Sequence, residues 1–234
     1  MMNVRRSNQR GSAAFDWLQS KHTFSFGNYY DEAQMGFSAL RVINDDEVIP
    51  DAGFATHGHK DMEIISYVLE GEISHEDSEG NIARLPAGEF QLMSAGSGIR
   101  HSEFNSSVTK KLHFLQIWIQ PNVYGETPGY QQKDFGREQG LTLVISSDGV
   151  DGSLKLKQDA RIYQLILAGN AKAALTVNTA RRYYVHVIDG SLVIKGDRQS
   201  ETLEPGDGIK IESVRELNFA AKNVAVKAMV FDLP

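Results

Sequence analysis

The apolar residues of this 234-residue chain fall in short runs, and this pattern most constrains the fold. The runs are rich in β-branched and aromatic residues, and Gly, Asp, Asn or Pro follows most of them, which is typical of strands. Four such runs are residues 64–69 (IISYVL), 114–119 (FLQIWI), 184–188 (YVHVI) and 226–231 (VKAMVF). Amphipathic helical periodicity is scarce. Many short strands in succession predict an all-β sandwich or barrel with little helix.

An internal repeat divides the chain into two β units. Residues 67–73 (YVLEGEI) resemble residues 186–192 (HVIDGSL), and a Gly–acid pair follows each at matched spacing, at Gly88 and Gly206. The polar segment 120–152, which contains Gly and Pro, reads as the crossover between them. This predicts domains at 1–135 and 136–234. The alternative is that unrelated small β units look alike at this level of detail.

Charge and cysteine content exclude several classes of protein. The chain has 24 Lys+Arg against 30 Asp+Glu, a net charge of −6, which argues against direct nucleic-acid binding and against a polybasic membrane patch. It has no cysteine, so a metal would need His or oxygen donors. No signal-peptide core follows the basic N-terminus, and no apolar run reaches the roughly 18 residues of a membrane span. We therefore expect a soluble, cytoplasmic protein.

Two closely spaced groups of potential ligands stand out. They are His57-Gly58-His59 and His101-Ser102-Glu103. Residues i and i+2 of a strand project from the same face, so each group aims two donors at one point. Three imidazoles and one carboxylate suit Fe, Ni, Co, Cu, Mn or Zn rather than Ca or Mg. The residues alone leave open whether these groups form a metal site or are packing and surface residues.

Longer motifs resemble a known family. Residues 53–59 (GFATHGH) and 86–90 (PAGEF) resemble the two cupin motifs. Residues 22–31 (HTFSFGNYYD), 36–46 (GFSALRVINDD) and 94–105 (SAGSGIRHSEFN) resemble the pirin family. The resemblance implies a bicupin, two face-to-face antiparallel β-barrels, with one mononuclear metal in the N-terminal barrel.

The resemblance also implies the ligands. They are His57, His59, His101 and Glu103. In the wider cupin pattern the carboxylate follows the HxH motif, where Glu63 stands with the same strand parity. We expect Glu103 to be the ligand and Glu63 to orient a histidine. Either carboxylate is a candidate catalytic base.

The other histidines and the second repeat give less indication of a metal site. Each remaining histidine lacks a paired neighbour and is expected to be structural or exposed: His22, His75, His113 and His186. In the second repeat Thr176 and Asn178 stand where the HxH histidines would be. We therefore expect residues 136–234 to form a metal-free barrel.

For function, the resemblance implies quercetin 2,3-dioxygenase activity: cleavage of a flavonol with O2 at one divalent metal, with Fe favoured. Two alternatives stay open. One is a redox- or metal-responsive regulator that acts through a protein partner, and the other is a cupin with a different small-molecule substrate. We expect a monomer.

Overall fold

Twenty strands make up nearly all of the regular structure in the computed structural model, which describes residues 1–234. The first ten are β1 (Met2–Arg5), β2 (Gly11–Ala14), β3 (Leu18–His22), β4 (Leu40–Val48), β5 (Gly53–Glu70), β6 (Glu72–Asp77), β7 (Ile82–Pro86), β8 (Glu89–Asn105), β9 (Leu112–Ile119) and β10 (Gly129–Asp134). The others are β11 (Gly140–Ser146), β12 (Leu154–Lys155), β13 (Arg161–Leu167), β14 (Lys172–Leu175), β15 (Arg182–Asp189), β16 (Leu192–Gly196), β17 (Gln199–Leu203), β18 (Gly208–Glu212), β19 (Leu217–Ala221) and β20 (Val226–Leu233).

Helix is limited to three single 3-10 turns, at Ser7–Gln9, Glu32–Gln34 and Val150–Gly152. The four apolar runs lie within β5, β9, β15 and β20, so the all-β prediction is confirmed. No helix has the length and apolar character needed to cross a membrane.

The chain forms two units. The N-terminal unit comprises residues 11–136 and 156–158, and the C-terminal unit comprises residues 1–10, 137–155 and 159–234. Compared with a simple division at 135/136, residues 1–10 belong to the C-terminal unit, whereas residues 136 and 156–158 belong to the N-terminal unit. The first ten residues join the C-terminal unit because β1 pairs with β18 along its whole length. In that unit Arg6 Nη1 and the Ser7 amide donate to the Asp207 carboxylate at 2.8 and 2.7 Å.

The N-terminal unit is one nine-stranded sheet in the order β2-β3-β4-β9-β5-β8-β6-β7, with β10 also paired to β8. The end strands β2 and β7 do not pair with each other, so this is an open sheet rather than a closed ring. The strands β5 and β8 have 18 and 17 residues and run antiparallel through most of their length. This long pairing positions the candidate site. Buried Leu18, Val68, Leu85 and Phe114 belong to the apolar core.

The C-terminal unit contains a seven-stranded sheet, β1-β18-β15-β20-β13-β11-β12, and a four-stranded sheet, β14-β19-β16-β17. Its core contains an apolar cluster that includes Leu165, Val185, Ile209 and Phe219.

The repeat seen in the sequence recurs in the structure. A left-handed glycine ends β5 (Gly71, φ 85°) and another ends β15 (Gly190, φ 75°). A hairpin follows each, β6–β7 or β16–β17, and then a second left-handed glycine, Gly88 (φ 98°) or Gly206 (φ 80°). Glycine adopts this conformation without the strain that a Cβ imposes, so both copies turn in the same way.

Candidate functional site

Three histidines converge on the face shared by β5 and β8. His57 and His101 are directly opposed in the β5–β8 ladder, and His59 lies two residues from His57. The ring centroids are 4.7 Å apart for His57–His59, 4.6 Å for His57–His101 and 4.9 Å for His59–His101. One ring nitrogen from each lies within 4.8 Å of the other two. The arrangement matches the same-face geometry expected from the spacing.

The protonation of these rings favours metal binding. Burial, followed by the charges of neighbouring histidines, lowers the pKa of His101 to about 3 and that of His59 to about 4. Both rings are therefore neutral near pH 7, with lone pairs available. His57 Nδ1 lies 2.8 Å from the Ala55 carbonyl, which can only accept, so Nδ1 is the donor and the Nε2 lone pair is left free.

His101 provides the test of whether a metal fits. The side chain is 1% exposed, and neither Nδ1 nor Nε2 has a hydrogen-bond partner. A buried polar atom without a partner costs about 1–3 kcal/mol. A ring that faces two other imidazoles recovers this cost when it donates a lone pair to a cation. The donor set therefore fits a divalent transition metal.

Glu103 lies on β8 two residues beyond His101 and is buried. Its Oε1 accepts from Ser66 Oγ (3.0 Å) and Gln91 Nε2 (3.4 Å), and its Oε2 accepts from Gln116 Nε2 (3.2 Å). The structure groups Glu103 with His101 and His75, within 4.8 Å, rather than with His57 and His59. Its assignment as a ligand therefore stays a prediction.

His75 is a site residue that the sequence reasoning missed. It is completely buried on β6, opposite Glu103 in the β6–β8 ladder. Its Nε2 bonds to Asp77 Oδ2 at 3.0 Å, and its ring lies 5.3 Å from His101 and 4.8 Å from Tyr130. The available signal was His75-Glu76-Asp77, an i, i+2 pair of the same kind as the other two groups.

Glu63 does not orient a histidine, which corrects the expectation from sequence. Its Oε2 accepts from Ser94 Oγ (3.0 Å) and from the Lys157 amide (3.1 Å), and its buried Oε1 has no partner. The parity argument fails because the ladder shifts register between His59 and Asp61, where Asp61 has a φ of 66°. Burial raises the pKa of Glu63 above its ordinary value.

The other lone histidines lie outside both candidate triads. His22 is buried on β3 with Nδ1 2.8 Å from Asn44 Oδ1, and His113 Nε2 lies 2.6 Å from Asp45 Oδ1. His186 is buried on β15 in the C-terminal unit. Both groups of three or more metal-ligating side chains fall within residues 57–103.

A cavity of about 670 Å³ in the N-terminal unit includes His57 and His59 in its wall. Six aromatic side chains line it: Phe15, Trp17, Phe26, Tyr29, Phe54 and Trp118. The Trp118 ring lies edge-on to His59, with centroids 5.0 Å apart, and Phe54 lies 6.4 Å from His57. Aromatic walls with a few convergent polar groups are typical of a site for a planar organic ligand.

One side of this cavity is polar because three neighbouring strands each contribute alternate residues. In the β3–β4–β9 ladders Ser20 pairs with Asp46, and His22, Asn44 and Gln116 form the adjacent row. Asp46 is 2% exposed, and its Oδ1 has no partner. Burial raises the pKa of Asp46 to about 7, partly offset by the Ser20 hydrogen bond.

This pKa predicts how stability depends on pH. The folded pKa of about 7 exceeds the ordinary 3.8, so the folded state holds the Asp46 proton more tightly than the unfolded state. The contribution of Asp46 to the free energy of unfolding therefore falls as pH rises from 4 to 7, by about 4 kcal/mol at ~1.4 kcal/mol per pH unit. Asp46→Asn removes this dependence.

The measurement is urea unfolding of the metal-free protein from pH 4 to pH 8. We expect the variant to gain stability over the wild type as pH rises, with the difference levelling off above pH 7. Parallel pH profiles for the two proteins would contradict the prediction. Groups that do not interact with Asp46 contribute equally to both profiles, so the difference isolates Asp46 and the groups coupled to it, Asp45, Glu103 and His113.

Comparison with family models and comparison with individual known proteins agree with each other. A family model described as Pirin matches residues 3–119, and one described as quercetinase C-terminal cupin domain matches residues 143–233. The chain is 48% identical over 234 residues to quercetin 2,3-dioxygenase of Escherichia coli K12, covering 100% of this chain and 99% of that protein. It is 38% identical over 218 residues to a pirin-like protein of Caulobacter vibrioides, covering 92% and 93%.

A solved structure shares the fold throughout. The crystal structure of the bacterial pirin YhhW from Escherichia coli in complex with nickel(II) superposes with a TM-score of 0.95. The two chains are 47% identical, and the match covers 100% of this chain and 99% of that one.

Proposed function

Because the chain belongs to the pirin family, we propose that it is a metal-dependent dioxygenase that cleaves flavonols with O2 at a mononuclear site of three histidines and a glutamate. The observation that carries the proposal is the convergence of His57, His59 and His101, with both His101 ring nitrogens unpaired, beside an aromatic cavity. The E. coli relative named quercetin 2,3-dioxygenase supports the substrate class.

We propose that His57, His59, His101 and Glu103 hold the metal. We favour Fe, with Ni, Co, Cu, Mn and Zn as alternatives, and the nickel(II) complex of the relative supports a divalent transition metal as the class. When bound, the metal supplies Lewis acidity and a template for substrate and O2. We also propose that metal binding is confined to the N-terminal unit and that residues 136–234 take up none.

The cavity provides binding and exclusion of water. The aromatic walls desolvate a planar ligand and place it against the edges of His57 and His59. Gln116 connects the cavity to Glu103, because its amide donates to Glu103 Oε2 and its Oε1 accepts from Trp118 Nε1 at 3.1 Å. These contacts fix the orientation of the Glu103 carboxylate, as a proton acceptor requires.

Glu103 is the proposed base. The flavonol 3-hydroxyl loses its proton to a Glu103 carboxylate oxygen, and the resulting oxyanion activates the adjacent ring carbons toward O2. In the overall reaction one flavonol and one O2 give a ring-opened ester and one carbon monoxide. His101 and His59 stay neutral near pH 7, so they do not compete for this proton.

Turnover assays test the proposal. We expect O2 consumption and carbon monoxide release only with metal, O2 and quercetin together, and at least a 100-fold lower rate after chelation. The matched control is luteolin, a flavone that differs from quercetin by lacking the 3-hydroxyl and cannot offer that proton. We expect no turnover of luteolin. Metal-loaded protein that releases no carbon monoxide from quercetin would refute the dioxygenase proposal and favour the regulatory alternative.

A further inference from the structure

The proposed mechanism does not use the one carboxyl group that lines the cavity. Asp46 lines the same cavity as His57 and His59, is almost completely buried, and has an oxygen, Oδ1, without a partner. The Asp46 carboxyl group has a hydrogen bond with the Ser20 hydroxyl on β3. A buried carboxyl oxygen without a partner is costly, so such a group in a cavity wall is a candidate for contact with a ligand.

Asp46 is separate from the three converging histidines. It lies on β4, whereas His57 and His59 lie on β5, and β9 runs between these strands. Asp46 belongs to neither group of converging metal-ligating side chains, although the charge of Glu103, like those of Asp45 and His113, acts on it. With β9 between the two strands and Asp46 outside both triads, we assign to Asp46 a ligand group other than the one held at the imidazoles.

The chemistry of the Asp46 side chain favours a hydroxyl group as the part of the ligand that it contacts. Because burial raises the pKa of Asp46 to about 7, much of the side chain is a neutral acid near that pH, which both donates and accepts a hydrogen bond. A phenolic hydroxyl has the complementary pair of roles. A ligand cation would instead need an ionised carboxylate, and an aliphatic chain would leave the oxygen unpaired.

We propose that Asp46 is a specificity-determining residue that hydrogen-bonds a second, peripheral hydroxyl of an aromatic ligand, apart from the group at the histidines. The inference rests on the proposed function for its ligand class. It predicts that the site prefers flavonols that carry hydroxyls beyond the 3-position.

The cavity has a built-in reporter for the test. The only two tryptophans of the chain, Trp17 and Trp118, both line it, so quenching of intrinsic fluorescence follows binding. The probes are quercetin, which has peripheral hydroxyls, and 3-hydroxyflavone, which has only the 3-hydroxyl. Dissociation constants are measured without O2 on protein with the same metal content.

We expect Asp46→Ala to weaken quercetin binding about tenfold, the usual value of one hydrogen bond, and to change 3-hydroxyflavone binding less than twofold. Asp46→Asn keeps a donor and an acceptor and should restore quercetin affinity to within about threefold. Asp46→Leu, an apolar residue of similar size, replaces the alanine variant if the latter does not fold. The matched control is Asp45→Ala, on the same strand but outside the cavity lining, with both affinities unchanged.

The outcomes separate this inference from the proposed function. Equal losses for both probes, or no loss for either, would overturn the role of Asp46, and so would a wild type that does not bind quercetin. Quercetin that binds with the predicted dependence on Asp46 but releases no carbon monoxide would refute the dioxygenase function alone. Normal turnover with no effect of Asp46→Ala on binding would refute the Asp46 role alone.

Discussion

His101→Ala is expected to abolish stoichiometric metal binding and to leave the protein folded. The substitution removes the buried imidazole whose two nitrogens have no partner in the protein, so the fold loses no hydrogen bond with it. The metal loses one of its four proposed ligands, and we expect at least a 100-fold fall in affinity. The measurement is metal per chain by plasma emission spectrometry after dialysis, with circular dichroism as the check of folding.

Two control variants make this result specific. His113→Ala removes a histidine that is bonded to Asp45 outside the candidate triads, and it should keep one equivalent of metal. His75→Ala distinguishes the two triads that share His101. If the metal sits with His57 and His59, His75→Ala keeps most of it. Undiminished metal in His101→Ala would exclude both triads.

The same measurement tests the C-terminal unit. A chain with His57, His59 and His101 all replaced by Ala retains every residue from 136 to 234. We expect it to bind no metal, because neither candidate triad includes a residue beyond 103. One remaining equivalent of Fe, Ni or Zn would show a second site and refute that proposal.

Glu103→Gln is expected to lower turnover of quercetin by 100-fold or more and to weaken metal retention. The carboxylate accepts from Ser66, Gln91 and Gln116, and an amide presents an N–H to at least one of these donors. The variant also loses the basicity that deprotonation of the 3-hydroxyl requires, which contributes about 10²–10⁴-fold in general base catalysis. Initial rates are compared at equal metal content, so that the loss of the base is separated from the loss of the metal.

Glu63→Gln is the matched control for this experiment. Glu63 accepts two hydrogen bonds at Oε2 and none at Oε1, so a glutamine keeps both through its carbonyl and places its NH2 at the unpartnered position. We expect the rate to stay within about threefold of the wild type and the metal content to be unchanged. A larger rate loss in Glu63→Gln than in Glu103→Gln, with metal retained, would make Glu63 the base.

Features of the site that depend on residues close together in the sequence were easier to predict than features that depend on the pairing of distant strands. The i, i+2 rule brings His57 and His59 to one face because that short stretch of β5 is regular. It fails at Glu63, since the left-handed Asp61 and the register shift beside it interrupt the alternation. Counting alternate positions along the sequence does not reveal such an irregularity.

Residues brought together by strand pairing were harder to predict. His75 joins the site because β6 pairs with β8, and Asp46 reaches the cavity because β3, β4 and β9 are neighbours. Neither register follows from local sequence, although the resemblance to pirins indicated the fold class. The pairing of β1 with β18 is the longest-range case, and no local signal near residues 1–10 predicts it.

The pairing of β1 with β18 has a consequence for biosynthesis. Met2 is opposite Ile211, so one of the first residues to leave the ribosome waits for a partner that is made some two hundred residues later. The N-terminal unit contains no residue beyond 158, so all of its chain is synthesised much earlier. Nascent chains stalled near residue 200 should therefore contain a finished histidine cluster beside an unfinished second sheet, with β1 exposed as an unpaired edge that chaperones recognise.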